Sequence, residues 1–277
     1  MTGVVSAREW TPISRYRHSL WLLTRRDLKV RYSTSALGYF WSVLDPLVMA
    51  GIYWVVFTQV FHRGASSPEP YIVFLLTGLL PWMWFTGAVS DTTRAFLREQ
   101  KLIRSTKIPR TIWILRLVLS KGIEFLASIP VIAAFAIATQ FSSGSTPHAQ
   151  LHWEAFLSIF AIIMEGILIV GIGLIVAPLV VFFRDLERAV KLVLRFLFYA
   201  SPIVYGLTDA RLVNRVNLDR LLAFNPLSGI MSLYRSAFFP QELDPFAIAI
   251  SAVLCIVVLA IGIVVYRRTI HAVLKEI

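Results

Sequence analysis

The chain has 277 residues, 57% of them hydrophobic, and a formal net charge of +11. A globular domain is about 45–50% apolar; here the excess is gathered in long blocks, which excludes an ordinary soluble domain and indicates a polytopic membrane protein. Such a charge would suggest nucleic acid in a soluble protein, but the Lys and Arg residues lie between the apolar blocks and therefore indicate membrane topology and anionic lipid headgroups, with no nucleic-acid partner.

The N-terminal segment, residues 1–36, is polar and basic. It has no apolar stretch followed by a small-residue cleavage site, so no cleavable signal peptide is expected. Within it, Ile13, Tyr16, Leu20 and Leu23 recur at helical spacing, which predicts an amphipathic helix on the cytoplasmic membrane surface. The alternative is an ordinary basic flank that only sets topology.

Six apolar blocks follow and predict six transmembrane helices, at about 37–61, 71–90, 118–141, 155–183, 192–207 and 245–266. A helix needs roughly 20 mainly apolar residues to cross the hydrocarbon. Connections rich in Lys and Arg alternate with poor ones, so the positive-inside rule places both termini in the cytoplasm. We therefore expect a multi-pass protein of the cytoplasmic (plasma or inner) membrane.

The connection between the fifth and sixth blocks, 208–244, contains two apolar stretches too short to cross a bilayer. Asn225-Pro226 and Pro240 interrupt it. Such pieces predict helices that enter the membrane and return, which protein or water must cover. The expected fold is all-α: six transmembrane helices, the N-terminal interface helix and these re-entrant helices. We divide the chain into a cytoplasmic segment (1–36), one membrane domain (37–266) and a cytoplasmic tail (267–277).

Catalytic motifs are missing from the sequence. No G-x-x-x-x-G-K-[ST] loop occurs, so the chain is not expected to bind ATP phosphates or to be an enzyme. Cys255 is the single cysteine, and His148 and His152 share one loop without further ligand candidates. No metal site is expected, because such sites need three or four ligands.

Ionisable residues inside apolar blocks are costly and therefore informative. One interpretation is a proton relay. The other, which we favour, is buried partners: Glu124 with Lys121 one turn earlier, and Glu165 with a donor on a neighbouring helix. Small residues of the fourth block would serve close helix packing; they are Gly166, Gly171, Gly173 and Ala177.

Two surface patterns leave alternatives open. Aromatic residues share a face in the first block (Tyr53, Phe57, Phe61) and in the fifth, which fits either sugar stacking or ordinary packing. Basic residues recur at three-residue steps in the loop after the second block, which fits either a short helix that docks on another protein or a topology-setting loop. They are Arg94, Arg98, Lys101, Arg104, Lys107 and Arg110.

A series of short motifs, taken together, resembles a known family. In chain order they are Arg26-Asp27-Leu28-Lys29-Val30-Arg31-Tyr32, Leu37-Gly38 with Trp41 and Asp45-Pro46, Gly78-Leu79-Leu80-Pro81-Trp82, Lys107-Ile108-Pro109-Arg110, Phe183-Arg184-Asp185-Leu186, Ser201-Pro202-Ile203, and Phe224-Asn225-Pro226-Leu227 before Tyr234-Arg235. The series is similar to the permease subunits of type-2 ABC exporters for polysaccharide and teichoic acid, over nearly the whole chain.

The resemblance implies that two such permeases pair with two copies of an ATP-binding subunit, which holds the ATP and Mg²⁺. The cargo would be a glycan on a polyprenyl diphosphate lipid, of the O-antigen, teichoic-acid or cell-wall galactan kind. The dimer interface would form the substrate channel, lined by Tyr39, Trp41, Tyr53, Phe57, Phe61, Phe196 and Tyr199. The residues expected at a cytoplasmic gate or at the lipid diphosphate are Arg26, Asp27 and Arg31.

The same resemblance assigns coupling to the ATP-binding subunit to the basic loop, through Arg98, Lys101, Arg104, Lys107 and Pro109. It assigns Asn225, Pro226 and Arg235 to a re-entrant region near the outer mouth. Three alternatives remain: a type-2 exporter of a small hydrophobic drug or lipid, a proton-coupled carrier, and a membrane enzyme acting on polyprenyl lipids. The last would need acidic clusters that hold Mg²⁺.

Overall fold

A computed structural model describes residues 12–33, 38–56, 70–106, 108–140, 149–206 and 222–276. The chain is helical in these ranges and has no strand in them, as predicted. The helices are α1 (Pro12–Tyr32), α2 (Trp41–Val55), α3 (Tyr71–Thr92), α4 (Gln100–Ser105), α5 (Ile112–Gln140), α6 (Leu157–Phe182), α7 (Leu186–Ala200), α8 (Pro226–Ser236) and α9 (Pro245–Glu276).

Four of the six predicted transmembrane helices are confirmed as long and apolar enough to cross a membrane: α3, α5, α6 with the turn before it, and α9. The other two stay predictions. The first apolar block contains α2, and the fifth overlaps α7 from residue 192 onward; each helix has 15 residues, fewer than the roughly 20 that a crossing needs. Residues 57–69 and 207–221, which follow them, lie outside the described ranges, and the re-entrant helices also stay a prediction.

The centre of the bundle is α3, in which 78% of the most apolar stretch of 18 residues is buried. It packs against α2, α5, α6 and α8. Of the four long helices, α5 and α9 extend furthest past their predicted bounds. The helix α5 begins before residue 118, and Ile112, Trp113 and Arg116 in its first turns are buried. The helix α9 continues beyond Tyr266, and its Val273 is fully buried. Packing, rather than hydropathy, therefore sets these helix ends.

The helices α6 and α9 pack closely against each other, and this contact depends on two glycines. A Cβ added at Gly171 would lie 2.8 Å from the Leu259 nitrogen, and one at Gly262 would lie 2.5 Å from the Gly171 oxygen. Small residues allow this backbone approach. The prediction that the small-residue face of the fourth block packs within the chain is confirmed for Gly171.

Contacts between helices define two ends of the bundle. At the first, Gly173 of α6 lies beside Ile114 of α5 and Thr92 of α3. We call this the basic end, because α1 and α4 also lie there. At the opposite end, Tyr71 donates a hydrogen bond to the Val204 carbonyl.

Candidate functional site

Arg116 is the centre of an ion-pair network at the basic end. Its guanidinium is 3% exposed and lies 2.8 Å from Asp27 Oδ1 and 3.1 Å from Glu99 Oε1. Arg26 also pairs with Glu99 and lies 3.4 Å from Asp27. Because Asp27 belongs to α1, Glu99 immediately precedes α4 and Arg116 belongs to α5, the network connects α1 to two helices that are far from it in sequence.

Arg31, one turn further along α1, makes a second set of ion pairs. Its guanidinium donates to Glu124 of α5 and to Asp91 at the end of α3, at 2.8 Å in each case. Glu124 also accepts a hydrogen bond of 2.8 Å from Lys121. The predicted Lys121–Glu124 pair is therefore confirmed, and Arg31 is a third member that its sequence position did not reveal.

The three residues predicted for a gate or a lipid diphosphate thus lie together, and all three are ion-paired within the chain. Burial raises the pKa of the Asp27 carboxyl, and Arg116 and Arg26 oppose that rise. Asp27 Oδ2 is buried without a hydrogen-bond partner among the described residues. The gating role of Arg26, Asp27 and Arg31 stays a prediction.

A separate ion-pair group ties the loop after α3 to the start of α7. Glu187 accepts hydrogen bonds from Arg94 at 2.6 Å and from Lys191 at 2.7 Å. Hydrogen bonding to Arg94, and then to Lys191, lowers the pKa of Glu187 to about 2. The carboxylate is thus ionised in the folded chain at any moderately acidic pH.

We expect Glu187→Gln to remove a pH-dependent part of stability. A lowered folded-state pKa gives stabilisation that is complete above the ordinary value of 4.5 and is lost as the pH falls through about 2. The thermal stability of the wild-type chain in detergent should therefore exceed that of Glu187→Gln above pH 4.5, and the two should converge towards pH 2. Glu276→Gln, at an exposed position, is the control. A difference undiminished below pH 2 would contradict this assignment.

The short helix α4 exposes its charged residues. Lys101 and Arg104 are exposed, whereas Ile103 between them is fully buried and anchors the helix on the bundle. Arg98, 59% exposed in its side chain, precedes it, and Pro109 is exposed after it. The predicted short basic helix is therefore present; Lys107 lies outside the described residues. Its docking on another protein stays a prediction.

The helices α2 and α7 form an exposed apolar face. Tyr53 of α2 packs against Phe198 of α7, with ring centroids 5.7 Å apart. Phe196 is 70% exposed, Tyr199 78% and Trp41 41%. Of the other predicted channel residues, Phe57, Phe61 and the side chain of Tyr39 lie outside the described part of the chain. Tyr53, partly buried, contacts its own chain rather than standing free on this face.

At the opposite end, α8 is buried along its length from Leu227 to Ser236. Asn225 caps it by accepting a hydrogen bond from the Leu227 nitrogen, and Pro226 occupies its first turn. Arg235, 1% exposed, lies 3.8 Å from the centroid of the Phe74 ring. It donates to the carbonyls of Ile203 and Tyr205, at 2.7 Å and 2.9 Å. Asn225, which donates to the Ala200 carbonyl and the Ser201 hydroxyl, and Arg235 therefore hold residues 200–205 against α8.

Glu165 of α6 is fully buried, and its Oε2 accepts a hydrogen bond of 2.8 Å from the Tyr234 hydroxyl. The predicted donor is thus found on α8. Oε1 has no partner among the described residues.

We expect Glu165→Gln to be tolerated, because the amide oxygen can still accept from Tyr234. Its cost should be below about 1 kcal/mol, whereas Glu165→Ala should cost about 2 kcal/mol through the unpaired buried hydroxyl and the lost volume. Thermal unfolding measures both. Export that stops in a well-folded Glu165→Gln chain would contradict a purely structural role and support the proton-relay alternative.

Sequence reasoning missed Arg116 and Glu99, because both lie between the second and third predicted transmembrane helices. A basic residue two positions before an apolar block was the available signal for Arg116. No signal marked Glu99. Within the described ranges no group of three His, Cys, Asp or Glu residues is placed to hold a metal ion; His148 lies outside them.

Comparison with known proteins gives a family match and several relatives. The family described as ABC-2 type transporter matches residues 18–239. An O-antigen export system permease protein RfbA of Klebsiella pneumoniae is 34% identical over 247 residues, covering 89% of this chain and 90% of the relative. The protein of that name from Myxococcus xanthus is 28% identical, covering 83% of each chain. The polysialic acid transport protein KpsM of Escherichia coli is 24% identical, covering 91% and 93%.

Proposed function

The chain belongs to the ABC-2 type transporter family, and from this premise we propose that it is the membrane-spanning subunit of an ATP-driven polysaccharide exporter. The cargo is a glycan carried on a polyprenyl diphosphate lipid, moved across the cytoplasmic membrane. The observation that carries the proposal is the near full-length similarity to permeases named for O-antigen export and polysialic acid transport.

ATP and Mg²⁺ are bound by a separate partner subunit, present in two copies. Two features support this division. The sequence contains no P-loop motif, and α4 presents the exposed charges of Lys101 and Arg104 beside the buried anchor Ile103. A helix fixed on one side and charged on the other is suited to docking in a groove of a second protein.

The channel lies between two copies of this chain, at the face formed by α2 and α7. The exposed fractions of Phe196 and Tyr199 support this placement, since large exposed aromatic side chains indicate an interface or a ligand path. Aromatic rings can also stack on the apolar faces of sugars. Exposed Val48, Met49 and Ile52 on α2 favour the second candidate, a small hydrophobic drug or lipid as cargo.

The ion-pair network would couple ATP hydrolysis in the partner subunit to movement of α1. A push on α4 acts on Glu99, the residue just before it, and Glu99 is held by Arg116 of α5 and Arg26 of α1. Movement of α4 is therefore transmitted to α1 without requiring a change in the bundle core. Through this connection, ATP-driven closure of the partner moves α1 at the cytoplasmic gate.

The first test is what co-purifies with the chain from its native host. We expect a stoichiometric P-loop ATPase, and about tenfold less of it with Lys101→Glu/Arg104→Glu, because reversing two contact charges costs at least about 1.4 kcal/mol. Arg25→Glu/Lys29→Glu, which changes two exposed charges of α1, is the matched control and should leave the yield unchanged.

The second measurement is the cargo. Cells lacking the chain should accumulate the lipid-linked glycan on the cytoplasmic side, and the wild-type gene should restore export. A lone chain that still exports would refute the need for the ATPase. Undisturbed glycan export together with lost efflux of a hydrophobic compound would favour the second candidate.

A further inference from the structure

Two depressions on the surface of the bundle meet at Leu119. The first, which we call the polar pocket, lies between α1 and α5, has a volume of about 490 Å³ and is lined by Ser14, Arg17, His18, Leu20, Trp21 and Leu119. The second, the apolar groove, lies between α5 and α6 and has a volume of about 410 Å³. Leu119, 44% exposed, lines both. The two depressions therefore adjoin, one polar and one apolar.

The Trp84 ring and two glycines form part of the lining of the apolar groove. Gly122 of α5 and Gly166 of α6 face the Trp84 ring, which lies 3.2 Å and 3.8 Å from where their Cβ atoms would be. Its rim carries Leu126 and Ile163, which are 48% and 52% exposed. The volume is within the ~300–1,000 Å³ typical of small-molecule sites. Because α5 and α6 are long and apolar enough to span a membrane, an alkyl chain suits this groove.

The polar pocket is suited to an anionic headgroup. Arg17 and His18 are exposed, and both line the pocket together with Ser14. Arginine pairs well with phosphate oxygens because its donors form a planar fork. Trp21 is 56% exposed and Leu22 50%, a combination typical of a helix lying in the membrane interface.

We propose that one anionic phospholipid binds across α1 and α5. Its phosphate is held by Arg17 and His18, and one acyl chain passes Leu119 into the apolar groove. Basic pockets beside membrane helices recognise anionic lipids in this way. The site has no lining residue on α2 or α7, so it does not depend on the proposed cargo. The bound lipid fastens α1 to the bundle in addition to the ion-pair network.

The test is native mass spectrometry of the full-length chain in detergent with equimolar phosphatidylglycerol and phosphatidylcholine. We expect one phosphatidylglycerol retained in preference to phosphatidylcholine. Arg17→Gln/His18→Gln should reduce that retention about tenfold, because a charge-assisted hydrogen bond contributes about that factor to affinity. Arg25→Gln, which changes an exposed α1 arginine outside the pocket, should leave it unchanged.

A separate variant, Ile163→Trp, tests the apolar groove by filling it from the surface. Its control is Ile256→Trp on α9, at a position that is 64% exposed. The first should lower phosphatidylglycerol retention and the second should not. Equal retention of both lipids, equal losses in a variant and its control, or the same thermal stabilisation by inorganic phosphate alone as by phosphatidylglycerol would overturn the proposal.

Discussion

Arg116→Gln is expected to destabilise the chain by about 3 kcal/mol. The substitution leaves Asp27 and Glu99 close together without the guanidinium that lies between them at 2.8 Å and 3.1 Å. Removing one partner of a buried ion pair costs about 3–5 kcal/mol, and the lower end applies because both carboxylates are partly exposed. Thermal unfolding in detergent measures the loss, and Arg98→Gln is the control, because Arg98 is 59% exposed and 3.9 Å from Asp91.

Arg116→Gln should also distinguish an effect on folding from an effect on the coupling of ATP hydrolysis to export. If Glu99 transmits movement from α4 to α1, Arg116→Gln should lower substrate-stimulated ATP hydrolysis in the assembled exporter more than it lowers basal hydrolysis. Asp27→Asn combined with Arg116→Gln should cost less than the sum of the two single changes, because the double variant leaves no unpaired Asp27 charge. Strict additivity would show that the Asp27–Arg116 pair contributes nothing.

Arg235→Ala is expected to have the largest effect on stability, about 4 kcal/mol. It removes a fully buried side chain from above the Phe74 ring and takes away the donor bonded to the carbonyls of Ile203 and Tyr205. A cavity and lost buried hydrogen bonds each cost about 2 kcal/mol or more.

Arg235→Lys should lie between the wild type and Arg235→Ala, since an ammonium keeps the charge near Phe74 but lacks the planar fork that reaches both carbonyls. Thermal unfolding and limited proteolysis after α7 measure the order. Arg188→Ala, at an exposed position on α7, should change neither. A loss in Arg235→Lys equal to that in Arg235→Ala would indicate that the two hydrogen bonds matter and the contact with Phe74 does not.

The long membrane helices could be predicted from the sequence, because local composition alone identifies them. Long apolar stretches are sufficient to identify α3, α5, α6 and α9. The helix α7 was harder, because Arg188, Lys191 and Arg195 recur along one side of it and shorten its apolar run. Its end at Ala200 is set by the following Ser201-Pro202, since a proline disfavours helix in the residue before it.

The candidate site was predictable only where its contacts are local. The Lys121–Glu124 pair follows from a spacing of three residues on one helix. Arg116 lies 89 positions from Asp27 and Arg31 lies 93 from Glu124, and such pairs are fixed by how α1 packs on α5. The resemblance to a family placed Arg26, Asp27 and Arg31 in one region but did not identify their partners.

The backbone contact between Gly171 and Gly262 also limits where this protein can change shape. With no side chain between them, the main chains of α6 and α9 are in direct contact, and packed cores of this kind are not continuously deformable. In the exporter proposed here, α6 and α9 would form a stationary frame. Spectroscopic labels on α9 would then report almost no distance change relative to α6.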